Sequence, residues 1–178
     1  MRKIKINFLS VNIYVIIKER SFYNLLTNSL NINLKTMKTG KIISASIIIW
    51  IVGSVFGWLT CGWLFNWVYT LSPTYIWKDA SMMMSASNMI GSFLVGLMVS
   101  IIFVLVYTLI YKALPGKGAV KGMTYGFIIW TVSALSGILS MPFYMNIATT
   151  VVIYWIIQAL VLNLINGAIV GAIYKEKE

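Results

Sequence analysis

Residues 147–173 read IATTVVIYWIIQALVLNLINGAIVGAI and contain no Asp, Glu, Lys, Arg or His. A helix of that length rises about 40 Å and crosses a hydrocarbon core of about 30 Å. Three stretches of the same kind precede it, so that membrane spans are expected over about 42–71, 83–111, 121–143 and 148–174. The fold expected is an all-α membrane protein, a four-transmembrane-helix bundle.

Composition points the same way. Hydrophobic residues make up 60% of the 178 residues and charged ones 10%, with a mean hydropathy of +0.87; soluble domains carry about 25% charged residues. The formal charge of +10 suggests nucleic acid only until the basic residues are located. They sit at span edges rather than on one continuous face, which favours anionic lipid headgroups and argues against nucleic acid. Cys61 is the single cysteine, so an internal disulfide and a CxxC redox pair are both excluded.

Orientation follows from the lysines and arginines, which cytoplasmic loops concentrate. Thirteen of the fourteen fall on one side of the proposed spans: the segment before the first span, the loop holding Lys112, Lys117 and Lys121, and the tail with Lys175 and Lys177. Only Lys78, next to Asp79, falls on the other. Both termini are therefore expected in the cytoplasm, with the protein in the cell membrane. Trp63, Trp67, Tyr69, Tyr75, Trp77, Tyr144, Tyr154 and Trp155 form an outer aromatic belt, and Tyr107, Tyr111, Tyr125 and Tyr174 an inner one.

Residues 1–36 form a basic, Asn-rich cytoplasmic segment unlike the transmembrane domain at 37–178. Its apolar run from Phe8 to Ile17 is too short to span. Two readings stay open: an interfacial amphipathic helix, or a stretch upstream of a start at Met37, where Met37-Lys38-Thr39-Gly40-Lys41 leads directly into the first span.

An internal duplication is the second pattern. Laying the first span on the third with an offset of 69 pairs Gly53 with Gly122, Gly57 with Gly126, Pro73 with Pro142 and Tyr75 with Tyr144. The second and fourth spans end in Ile110-Tyr111-Lys112 and Ile173-Tyr174-Lys175, at an offset of 63. Each half reads as a helical hairpin that starts and ends on one side, giving two parallel repeats.

Lipid supplies little hydrophobic drive for helix association, so small residues mark where helices approach closely. Gly53 and Gly57, Gly122 and Gly126, and Gly167 and Gly171 each present two glycines on one face by GxxxG spacing. They are expected to pack helices within the chain, with a homodimer face as the alternative. Intramembrane polar residues are the other pointers: Gln158, Asn163 and Asn166 in the fourth span, Asn88 in the second, and Thr124, Thr131, Ser133 and Ser136 in the third. Interhelical hydrogen bonding is their expected role; a polar lining for a small solute is the alternative.

An enzyme is not expected. The chain has no His, and its only acids are Glu19, Asp79, Glu176 and Glu178, so general acid–base work lacks a membrane-embedded titratable group. Cys61 has no histidine to activate it. A proton-coupled exporter of the small multidrug-resistance kind needs a buried membrane carboxylate, which is missing. No catalytic residue or cofactor is assigned. Thioethers are soft ligands for Cu(I), and Met82, Met83, Met84, Met141 and Met145 fall on one side of the membrane. The Met141-xxx-Met145 spacing is similar to the methionine pair in copper transporters of the Ctr type, over five residues of the chain, and implies thioether ligation. Methionine is also an ordinary filler of apolar packing, the reading preferred here.

Two functions remain. The first is a non-catalytic structural or accessory membrane subunit that offers a packing surface to a membrane protein partner. The second is a small homo-oligomeric carrier or channel for a neutral or soft solute around Asn163 and Asn166.

Overall fold

A computed structural model describes residues 39–174. The segment 1–36 and the proposed start at Met37 lie outside the described residues. Among the described residues 84% are helical and none is in a strand. Four helices are long and apolar enough to cross a membrane: α1 (Thr39–Leu64), α2 (Ala86–Ala113), α3 (Gly118–Phe143) and α4 (Thr149–Ile173). The all-α four-helix bundle expected from the sequence is the fold observed.

Local chemistry sets where each helix ends. The first span stops short of residue 71: it closes in a π turn over Trp58–Leu64, followed by a separate 3-10 turn over Asn66–Thr70. The second begins at Ala86, after a short helix over Ala80–Met83. The third starts three residues before the expected 121, because Gly116 and Gly118 adopt φ of 89° and 53°, a left-handed turn that glycine tolerates and other residues resist. It carries its own π turn over Trp130–Leu135 and ends in Met141–Phe143, where Pro142 cannot continue the hydrogen-bond ladder.

α1 and α3 begin, and α2 and α4 finish, at the same end of the bundle. The start of α3 touches the end of α2, since Lys121 Nζ donates to Tyr111 O at 3.1 Å and lies 4.0 Å from the Tyr111 ring centroid. It also touches the end of α4, where Gly118 O faces Gly171. Lys41, Lys112, Lys117 and Lys121 mark this lysine end, and Lys78 and Asp79 lie in the long connection at the other. Each end has its own apolar core. Ala45, Ile49, Val104, Tyr107, Leu114, Tyr125 and Val170 pack together at the lysine end, and Val68, Ile147, Val151 and Val152 at the loop end.

The two hairpins match in architecture. Both carry a π turn in their first helix, Trp58–Leu64 in α1 and Trp130–Leu135 in α3, and the α-helical parts of α2 and α4, Ala86–Ile110 and Thr149–Ile173, are both 25 residues long. The second pair is displaced by 63, the offset of the Ile-Tyr-Lys triplets. The first pair ends at Leu64 and Phe143, a displacement of 79 rather than 69. The Gly, Pro and Tyr coincidences at 69 therefore pair non-equivalent places: Pro142 ends α3, whereas Pro73 lies in the connection beyond α1.

Candidate functional site

The glycines of α3 and α4 face one another across the closest approach found at any described glycine. A Cβ added at Gly122 would meet Gly167 O, with Gly171 Cα at 2.9 Å; one at Gly126 would meet Asn163 O. Additions at Gly167 and Gly171 would strike Gly122 O and Gly118 O. All of these are backbone atoms, which cannot swing aside. α1 is different: an addition at Gly53 first meets Leu162 Cδ1 at 4.0 Å, and one at Gly57 meets nothing within 4 Å. The same spacing thus has different surroundings in the two hairpins.

Hydrogen bonding between helices also departs from expectation. Thr124, Thr131, Ser133 and Ser136 donate to carbonyls of their own helix, Val120 O at 3.1 Å, Phe127 O at 2.9 Å, Ile129 O at 2.7 Å and Val132 O at 2.6 Å. Such back-bonding satisfies a hydroxyl in lipid without a second helix. Asn163 does the same, its Nδ2 donating to Ala159 O at 2.8 Å, while Asn166 Oδ1 is buried without a hydrogen-bond partner. Asn88 accepts from Lys78 Nζ at 3.3 Å and donates to Met83 O at 3.3 Å, so it ties down the connection before α2.

The cross-helix bonds come mainly from aromatic donors. Trp50 Nε1 donates to Phe93 O at 3.1 Å, linking α1 to α2, and Trp130 Nε1 donates to Ile156 O at 3.0 Å, linking α3 to α4. Phe93 and Ile156 are equivalent at the offset of 63. Tyr125 OH donates to Phe103 O at 2.7 Å and joins α3 to α2.

Gln158 is the exception among the amides. The π turn of α1 presents Thr60 and Cys61 to α4, where Gln158 Nε2 donates to Thr60 Oγ1 at 2.7 Å and to Cys61 Sγ at 3.0 Å. Thr60 Oγ1 in turn donates to Phe56 O at 2.7 Å, and Tyr154 OH donates to Cys61 Sγ at 3.6 Å. One turn nearer the loop end, Trp155 Nε1 donates to Tyr69 OH at 2.9 Å. Trp77 packs edge-on against Tyr69 and Trp155, with centroids 5.3 and 5.9 Å apart. Burial pushes the Tyr69 phenol well above its ordinary range, and the neighbouring Cys61 thiol adds to that. The seam holds two phenols and a thiol but no carboxylate, imidazole or amine, and its hydrogen bonds tie α1 to α4.

Met82, Met83, Met84 and Met145 are exposed, and Met82 shares a shallow groove with Lys78, Ser81, Ser85, Ser87 and Asn88. An ammonium in that lining opposes a bound cation. Among the described residues no three of His, Cys, Asp and Glu come together to hold a metal.

The second groove runs along the loop-end half of α2 and is lined by Ser87, Asn88, Gly91, Ser92, Val95 and Gly96. Around it Met89, Ile90, Leu94, Met98 and Val99 are all exposed, and a Cβ at Gly91 would meet nothing within 4 Å. Of these residues sequence reading singled out only Asn88. Comparison with known proteins adds no relative: the chain matches no protein-family model, no curated protein and no solved structure.

Proposed function

We propose that this protein is a non-catalytic membrane subunit that works by packing its α2 helix against a transmembrane helix of another protein, with its lysine end in the cytoplasm. The supporting observation is the small-residue groove on α2. Ser87, Gly91 and Val95 recur every fourth residue on a stretch whose surrounding side chains are exposed. Lipid chains can neither fill a small-residue groove as closely as a helix nor bond its hydroxyls, so another helix is the better cover. The partner's chemistry follows: an apolar helix with small residues at its contact face. Orientation rests on the lysine asymmetry. A carrier built on Asn163 and Asn166 has less support, because Asn163 is committed to its own helix.

The test is native mass spectrometry of the tagged protein, extracted from its own host membrane in nanodiscs. A stoichiometric foreign subunit is expected, lost in Gly91→Leu and retained in Gly57→Leu. A monomer or homo-oligomer in the unmodified protein, or a partner held equally by both variants, would overturn the reading.

A further inference from the structure

Among the described residues, four buried side-chain polar atoms have no hydrogen-bond partner: Ser46 Oγ, Trp77 Nε1, Tyr107 OH and Asn166 Oδ1. The three oxygens share the lysine-end half of the bundle. Ser46 is five residues beyond Lys41, Tyr107 three from Ile110 and Asn166 seven from the end of α4. At 1.5 Å per residue, each Cα lies within about 10 Å of that point on its own helix.

Ser46 and Tyr107 are the best buried of the three, 2% and 0% exposed. They belong to adjoining helices of one core, since Ala45 and Ile49, which flank Ser46, cluster with Tyr107 and Val104. Helical side chains lean toward their own N-terminus. On α1 that is toward the lysine end and on α2 away from it, so the deeper Ser46 and the shallower Tyr107 lean toward the same level.

Each hydroxyl also departs from a neighbour of the same kind. Ser100 and Thr108, buried on α2, bond back to Gly96 O at 2.8 Å and Leu105 O at 2.6 Å; Ser46 does not. Tyr125, as fully buried as Tyr107, places its hydroxyl on Phe103 O; Tyr107 does not. Leaving such groups unbonded in a membrane interior is costly, and lipid cannot supply the missing partner.

We infer that Ser46 and Tyr107 form an internal hydration site: a buried water between α1 and α2 that bonds both hydroxyls. Water suits the pair because each hydroxyl both donates and accepts, and a buried water needs two or more polar partners. The cluster around the pair is apolar apart from the phenols of Tyr111, Tyr125 and Tyr174, and the one acid among the described residues, Asp79, lies at the other end of the bundle and cannot balance a cation here. Asn166 Oδ1 extends the polar demand toward α4.

Radiolytic hydroxyl labelling of the intact protein in nanodiscs tests this, because radicals formed from a bound water modify the side chain beside it even where bulk solvent does not reach. Tyr107 is expected to be labelled several-fold more than Tyr125, its equally buried control, and Ser46→Ala should reduce that excess. Equal labelling of the two tyrosines would overturn the site. Thermal stability supplies a second readout. Removing a hydroxyl that bonds water lowers Tm, so Tyr107→Phe should melt lower than the unmodified protein; an unchanged or raised Tm would mean that the hydroxyl bonds nothing. Ser46→Ala and Tyr107→Phe combined should lower Tm by less than the sum of the single effects, since they share one water; additive losses would count against a shared site.

Discussion

The α1–α2 and α3–α4 hairpins share an architecture but are closed by different means. α3 and α4 meet backbone to backbone over Gly118, Gly122, Gly126, Gly167 and Gly171. α1 and α2 keep side chains between them: the Trp50 indole stands 3.4 Å from where a Cβ at Gly96 would lie, and Ala45, Ser46, Ile49, Ser100 and Val104 are buried in these two helices. A glycine seam has no tolerance for added volume, whereas a side-chain seam can repack. The difference predicts where the bundle is brittle.

The largest effect should come from one added methyl. Gly122→Ala and Gly167→Ala are each expected to destabilise by about 3 kcal/mol or more, since overpacking here presses on backbone. Gly57→Ala and Gly91→Ala, with open space around them, should stay within about 0.5 kcal/mol. Thermal unfolding in detergent compares all four. Similar melting temperatures across the set would break the contrast between the hairpins.

Sequence reading could see part of this. Charge-free length makes the four spans legible, because nothing else crosses lipid so cheaply, and glycine spacing marks α3 and α4 as close-packing faces. It cannot separate Gly53 and Gly57 from Gly122 and Gly126, since the spacing is the same and only the opposing helix differs. Thr60 and Cys61 were equally hidden. Their meeting with Gln158 across 98 and 97 residues depends on a π turn, and a simple 3.6-residue period does not reveal one. The hydroxyls of α3 misled for a local reason: Ser and Thr in a helix can bond the carbonyl one turn back, which removes their need for another helix.

A smaller effect separates the two indole bonds. Trp50→Phe and Trp130→Phe each lose one interhelical hydrogen bond, worth about 1 kcal/mol in a membrane. Trp50 should be the more costly of the two. Its ring also packs edge-on against Phe93 at 6.1 Å and covers Gly96, and its hairpin has no glycine seam to hold it when the bond is gone. α3 and α4 would still meet through their glycines after Trp130→Phe. Equal losses, or the reverse order in thermal unfolding, would show that the glycine seam gives no reserve.

The smallest effect concerns the amides of α4, and it also sharpens how the two hairpins are joined. Gln158 spans the gap to α1 through both of its amide hydrogens, whereas Asn163 spends its amide on Ala159 of the same helix. Gln158→Leu should therefore cost about 0.6 kcal/mol, the average for an interhelical bond in lipid, and Asn163→Leu less. Stability alone would not distinguish a lost bond from disturbed packing, but Cys61 provides a local reporter. Its sulfur accepts from Gln158 and Tyr154, so removing the amide should speed alkylation of this thiol by a membrane-permeant maleimide. Asn163→Leu should leave that rate unchanged. If both variants react alike, the contact between α1 and α4 owes nothing to its polar seam, and the shared apolar core of Ala45, Ile49, Val104, Tyr125 and Val170 is what holds the hairpins together.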